Sequence, residues 1–303
     1  MNLAGFHRLT FGLIIFSVFV MTLGPLVRAN DAGLACPDWP LCFGHVIPPY
    51  EYRVYLEFIH RVVAGILGIG FMVWTCILIA VKDLRRRFLL LAILAMLLLA
   101  SQIWLGGETI TRRLSPYIVK SHLINALLYV SVLLIIWKKS TPGRPPAAGT
   151  RKAAWLTGGF AFLVLVQIYM GGRVSTNEAG LACTDFPSCY KIQKFEPDGS
   201  SEWRAIFFPA MQGHVEMHMS HRFVAYGLTL FAFFLYAMGP KLGLTSRQHK
   251  SLFVILLMII TQVLLGALNV LYQIPVPITV AHSFVANLIY LFSFENWLEG
   301  HVT

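Results

Sequence analysis

The stretch Asn30-Asp31-Ala32-Gly33-Leu34-Ala35-Cys36-Pro37-Asp38-Trp39-Pro40-Leu41-Cys42 returns 147 positions later as Asn177-Glu178-Ala179-Gly180-Leu181-Ala182-Cys183-Thr184-Asp185-Phe186-Pro187-Ser188-Cys189. Each copy is a short polar loop between long apolar runs. Further along, His60-Arg61 answers to His221-Arg222 at an offset of 161, and Gln102, Gly106 and His122 answer to Gln262, Gly266 and His282 at 160. The register changes chiefly once, between the second cysteine and the next histidine, where the second copy has 14 extra residues. The chain therefore reads as one unit written twice.

Outside the loops the sequence is too apolar for water. Of 303 residues, 57% are hydrophobic and 13% are charged, where an ordinary soluble protein carries about 25% charged residues; the mean hydropathy is +0.68. A bilayer span needs about 20 apolar residues. Suitable runs occupy 9–28, 54–81, 87–107, 117–137, 153–173, 215–238, 250–271 and 278–297. The predicted fold class is an all-α integral membrane protein whose eight transmembrane helices form two tandem-duplicated four-helix bundles. An even number of spans per copy gives both copies the same orientation, related by an axis along the membrane normal. The predicted domains are residues 1–138, a basic linker at 139–152 containing Pro142, Pro145 and Pro146, and residues 153–303. A cleavable signal peptide ending near Val27-Arg28-Ala29 is the other reading of the first span, but its apolar core is too long and it leaves the repeat unexplained.

The net charge of +10 does not point to nucleic acid, because the bases form no aromatic-interleaved stripe. They read as topology signals. One set of loops holds 13 Lys and Arg against three acids, and the opposite side holds 11 of each sign, which puts both termini in the cytoplasm and the cysteine loops on the outer face. About eight residues precede the first span, too few for an organelle transit segment, which favours a bacterial plasma membrane. Each cysteine pair, Cys36/Cys42 and Cys183/Cys189, has five intervening residues. That is wider than thioredoxin-type spacing and lacks obvious zinc partners. The pairs read as structural disulfides in an oxidising compartment, with redox exchange as the alternative. Cys76, alone in an apolar run, reads as packing.

Ionisable residues inside spans are costly and mark function by default. His60, His122, His221 and His282 lie in or at the mouths of spans and coincide under the repeat, one on the second and one on the fourth helix of each copy. Two facing imidazoles without a cysteine or carboxylate ring suit bis-histidine haem iron better than zinc. For a single histidine, a plain interhelical hydrogen bond is an equal alternative; four in matching places favour ligation. Glu57 shares a helical face with His60, and Arg61 stands one turn on as a structural partner for it. The second copy has His218 where the first has Glu57, and His218 competes with His221 as a ligand. That divergence favours one catalytic and one accessory haem site. Arg61 and Arg222 read either as holders of haem propionates or as snorkelling cations. Gln102/Gly106 and Gln262/Gly266 read as close-packing positions with a polar interhelical contact. His7, His249 and His301 read as solvated, and His45 and His214 carry no assigned role.

The Asn-x-Ala-Gly-Leu-Ala-Cys loop, Glu57-x-x-His60-Arg61, His122, the second cysteine loop, His218-x-x-His221-Arg222 and His282 together resemble the haem A synthase family, over essentially the whole chain. The resemblance implies an oxidoreductase that converts haem O to haem A for cytochrome c oxidase, oxidising the ring D methyl group to a formyl group through successive hydroxylations. It implies that His60 and His122 hold the substrate haem, that His221 and His282 hold a haem b cofactor, that Glu57 is the catalytic carboxylate, and that the Cys36–Cys42 disulfide lies near the substrate site. The implied partners are the lipid bilayer, haem O synthase and cytochrome c oxidase assembly factors. A di-haem transmembrane electron-transfer cytochrome is the competing reading: the four histidines would suffice for it, but it needs neither the Glu57/His218 asymmetry nor the cysteine loops. A haem transporter or assembly partner stands third.

Overall fold

The computed structural model describes residues 2–143, 149–187, 189 and 213–301. Eight helices carry the fold: α1 (Leu3–Ala29), α2 (Tyr52–Ala80), α3 (Lys82–Thr111), α4 (Pro116–Lys139), α5 (Arg151–Thr176), α6 (His214–Leu242), α7 (Ser246–Leu271) and α8 (Val276–His301). All eight are long and apolar enough to cross a membrane, and among the described residues there is no strand. The chain is an all-α multi-pass membrane protein. The helices match the expected spans and extend most of them by up to two turns, because polar caps close their ends. Asn2 accepts from the Gly5 amide, Glu51 from those of Arg53 and Val54, and Thr150 from that of Ala153. Thr245 and Gln248 bond each other's amides at the start of α7. Gly243, at φ +79°, ends α6 in the left-handed region that a Cβ disfavours. The proline-rich part of the expected linker, Pro145-Pro146, lies outside the described residues, as does most of the longer second loop.

The helices divide into two compact units, α1–α4 and α5–α8. In the first, α1 and α3 each pack against both α2 and α4; in the second, α5 and α7 each pack against both α6 and α8. Each unit is thus a ring of four in which the second and fourth helices face one another across the middle.

The two interiors are filled differently at repeat-related positions. The first unit buries Phe6, Phe71, Trp74, Phe88 and Tyr129, with ring centroids 5.2 Å apart for Phe6/Trp74, 5.7 Å for Phe6/Phe88 and 5.4 Å for Phe71/Trp74. The Trp74 indole N–H donates to Thr10 Oγ1 at 2.9 Å, so its one polar atom is satisfied inside the core. The second unit buries Ala153, Ala232, Leu235, Gln248 and Ile289 instead. Gln248 is tolerated because its amide donates to the Asn296 carbonyl while the Asn296 amide donates to the Gln248 carbonyl.

Large apolar side chains cover the outer faces, among them Ile69, Leu90 and Leu230 at 67%, 82% and 71% exposure. Faces of this kind are stable against lipid and not against water. Cys76 is exposed on such a face rather than packed in the interior. Nor do His7 and His249 stand free in solvent: His7 stacks on Trp137 with Nδ1 3.0 Å from the Trp137 carbonyl, and His249 stacks on Tyr236 with Nε2 2.9 Å from the Tyr236 carbonyl. The His301 side chain lies outside the described residues.

The aromatic core makes a specific prediction. Trp74→Ala removes the largest fully buried side chain of the first unit and should cost about 3–5 kcal/mol, lowering the thermal midpoint of the detergent-solubilised protein. Cys76→Ala, on the lipid face, should leave that midpoint nearly unchanged.

Candidate functional site

Both cysteine pairs are closed, Cys36 to Cys42 with an S–S distance of 2.02 Å and Cys183 to Cys189 with 2.08 Å. Each small loop is held from below by the arginine that follows the candidate ligand. Arg61 on α2 donates to the carbonyls of Asp38 and Leu41 at 2.7 Å and of Cys36 at 3.4 Å. Arg222 on α6 donates to those of Asp185 at 2.8 Å, Cys183 at 3.0 Å and Pro187 at 3.4 Å. A guanidinium offers five donors in a fixed fork, which suits it to gathering several carbonyls of one tight loop. Asp38 stiffens the first loop further by accepting from the Gly44 and Phe43 amides at 2.7 and 2.6 Å, and those amides, Gly44 first, hold its carboxyl below the usual carboxylate range.

The residue one turn before each histidine also grips the loop, with opposite hydrogen-bonding character. Glu57, buried, accepts from the Cys36 amide at 2.9 Å and from Arg61 at 2.5 Å. His218, also buried, has Nδ1 3.0 Å from the Ala179 carbonyl; the oxygen only accepts, so Nδ1 donates. His218 is therefore turned to the loop backbone.

Glycines let the helix ends close under the loops. Arg113 and Leu114 after α3, and Gln273 and Ile274 after α7, take positive φ values of 47° to 59°. This turn brings Leu114 against Gly33 and Ile274 against Gly180, where an added Cβ would sit 3.3 and 2.7 Å from the side-chain carbons.

Below the loops, His60 on α2 faces His122 on α4, and His221 on α6 faces His282 on α8. Within each pair the rings are near enough to interact electrostatically. Every ring is only part-buried, yet Nδ1 of His60, His122 and His282 is buried without a hydrogen-bond partner. Gly106, Gly171 and Gly266 give the imidazoles room: a Cβ at these positions would stand 3.4 Å from His122 Cε1, 3.0 Å from His221 Cε1 and 3.1 Å from His282 Cε1. Gln102 Nε2 lies 3.2 Å from His122 Nε2, and Gln262 Nε2 lies 3.2 Å from His282 Nε2. The expected polar interhelical contact is thus made, and its partner is the candidate ligand itself. Among the described residues no three His, Cys, Asp or Glu side chains gather into a metal site of their own. Paired imidazoles with unspent nitrogens, cushioned by glycines, fit an iron whose other ligands come from a porphyrin.

Two supports escaped the sequence reading because the repeat does not carry them. Gln167 on α5 has Nε2 3.0 Å from His221 Nδ1 and 2.9 Å from the His221 carbonyl; the first unit has Val20 there. Asn125 donates to Gln102 Oε1 at 2.7 Å and accepts from Ser101 at 2.9 Å, orienting the amide that meets His122; the second unit has Val285. An amide inside a span was the available signal for each.

A family model described as cytochrome oxidase assembly protein (COX15-CtaA) matches residues 7–53 and 49–294. The chain belongs to this family. A protein named haem A synthase from Shewanella oneidensis is 31% identical over 96% of this chain and 94% of its own length. Proteins of the same name from Halalkalibacterium halodurans and Bartonella tribocorum are 33% identical over 68% of this chain and 66% of their own, and 23% over 95% and 90%. The family implies haem binding, and the eight apolar helices make the chain a membrane protein.

The glycine cushions are testable. Gly266→Ala presses on His282 at 3.1 Å, whereas a Cβ at Gly12 meets nothing within 4 Å. Purified Gly266→Ala protein should retain less haem by absorbance per mole of protein, and Gly12→Ala should match the parent.

Proposed function

We propose that the chain is a haem A synthase, oxidising the ring D methyl group of haem O to the formyl group of haem A for cytochrome c oxidase. The observation that carries this reading is the unequal pair of sites: each unit has two facing imidazoles, and only the first has a buried carboxylate, Glu57, one turn from a ligand. In this reading His60 and His122 hold the iron of haem O, and His221 and His282 hold haem b. Haem b, when bound, supplies one-electron redox chemistry. Gln167 and Gln262 orient its ligands, and Asn125 with Gln102 orients His122.

Glu57 is the catalytic carboxylate. Its two oxygens are fixed by the Cys36 amide and Arg61, so it is preorganised and costs little to reorient. It serves the reacting methyl group as a proton acceptor or as a negative charge facing positive charge that develops on that carbon. His218 at the related position turns to the loop carbonyl of Ala179, consistent with an accessory second site. Arg61 and Arg222 bring positive charge to the loop end of each site, where propionates would carry negative charge, while their terminal nitrogens hold the loops.

The Lys/Arg asymmetry supports cytoplasmic termini and outer cysteine loops, and the bacterial relatives favour a bacterial plasma membrane. Haem O synthase and cytochrome c oxidase assembly factors are the partners that fit this role. A di-haem electron-transfer cytochrome needs the four imidazoles but not a carboxylate braced against the loop, and the relatives' shared name also favours the enzyme.

Glu57→Gln keeps an acceptor for the Cys36 amide and should leave bound haem unchanged while slowing haem O conversion on the order of 100-fold or more. Undiminished haem A formation would remove Glu57 from catalysis. His221→Ala or His282→Ala should lose haem b absorbance from the purified protein, and an unaltered haem content would refute that ligation.

A further inference from the structure

Beneath the histidine pair, the first unit carries two hydroxyl groups that the second unit lacks. Tyr129 lies seven residues after His122 on α4, which places it on nearly the same helical face and about 10 Å deeper. Long helical side chains lean toward the N-terminal end of their helix, which on α4 is the His122 end. Tyr129 is 3% exposed, and its buried hydroxyl makes no hydrogen bond. The polar group acting on it is Ser17 on α1, itself 2% exposed, whose hydroxyl donates to the Leu13 carbonyl at 2.7 Å and so has its hydrogen spent and its lone pairs left over. The repeat-related residues are Val164 and Ile289, equally buried at 3% and 4%.

The phenol ring is held in place. Phe71 meets it edge-on at 5.6 Å and is itself stacked on Trp74, where the second unit has Ala232 and Leu235. The first unit thus has a rigidly mounted phenol with Ser17 near its hydroxyl but no hydrogen bond completed, and the second has saturated hydrocarbon at the related positions. A buried hydroxyl without a partner is costly, so its retention points to an occupant that completes it.

We propose that Tyr129, seconded by Ser17, recognises the hydroxyl group on the isoprenoid-bearing side chain that distinguishes haem O from haem b, and thereby selects the substrate for the first unit. This rests on the assignment of haem O to His60 and His122. The side chain starts at the porphyrin edge, and with the propionates toward the Arg61 end it enters the bundle on the side where Tyr129 stands. The Tyr129 hydroxyl donates to the substrate hydroxyl, and that hydroxyl donates in turn to Ser17 Oγ. A site built to bond a substrate hydroxyl discriminates against the analogue that lacks it, because its own polar groups are then left unpaired. Haem b leaves the Tyr129 hydroxyl unanswered in the first unit and meets only Val164 and Ile289 in the second.

The test is competition between haem O and haem b for the full-length protein in detergent, followed by extraction and chromatographic quantification of the bound haems. His60→Ala defines the signal from the first site. Tyr129→Phe and the paired exchange Tyr129→Ile with Ser17→Val should lower the preference for haem O at that site on the order of tenfold, while total haem per protein stays constant. A preference unchanged in Tyr129→Phe, which keeps the ring and its packing, overturns the proposal and leaves the site assignment standing. Haem O binding that His60→Ala does not diminish overturns the site assignment, and this inference with it. A role confined to packing would change total haem or thermal stability without moving the ratio.

Discussion

Imidazole nitrogens buried inside an apolar helical bundle must find a partner, and leaving one unsatisfied costs about 1–3 kcal/mol. His60, His122 and His282 each keep such a nitrogen, and the surroundings of His122, His221 and His282 hold the rings in place. Glycines on neighbouring helices stand where a methyl group would press on three of the rings, and glutamine amides meet three of them from the side. The second and fourth helices of each unit face one another because α1 and α3, or α5 and α7, stand between them. A haem iron held by one imidazole from each of the two facing helices, as proposed above, would resolve the constraint.

The loops above these sites are built into the same structure. Arg61 and Arg222 collect loop carbonyls beside the histidines they follow, so the position of each ligand and of the disulfide loop above it depend on one another. Glu57 joins this grip in the first unit through the Cys36 amide, and His218 joins it in the second through the Ala179 carbonyl. One helical position thus performs the same structural task with an acceptor in one unit and a donor in the other. Only the acceptor leaves a buried carboxylate one turn from the histidine, and the proposed division into a reacting site and an accessory site rests on that difference.

Eight helices, their approximate ends and the four histidines were legible in the sequence because each leaves a local mark: a long apolar run, a cap, or an ionisable residue where hydrocarbon belongs. The repeat added what a single copy lacks, tying His60 to His221 and Gly106 to Gly266. It also hid what it does not conserve. Gln167 and Asn125 face Val20 and Val285 across the repeat, and Tyr129 faces Ile289, so none rose above the apolar background. The tasks of Arg61 and Arg222 as loop holders depend on where the carbonyls of Cys36 to Leu41 and of Cys183 to Pro187 come to lie, which spacing alone does not encode. His7 and His249 sit in basic stretches that suggest solvent, and only helix packing brings Trp137 and Tyr236 against them.

In the proposed reaction the first unit turns haem O into haem A. The direct measurement is to express the chain in a host that makes haem O but no haem A, extract the membrane haems, and determine their masses after chromatography. The account predicts a new haem with the mass of haem A, accompanied by hydroxylated haem O. A well-folded preparation that carries haem b, is supplied with a redox partner and leaves haem O unconverted would contradict it.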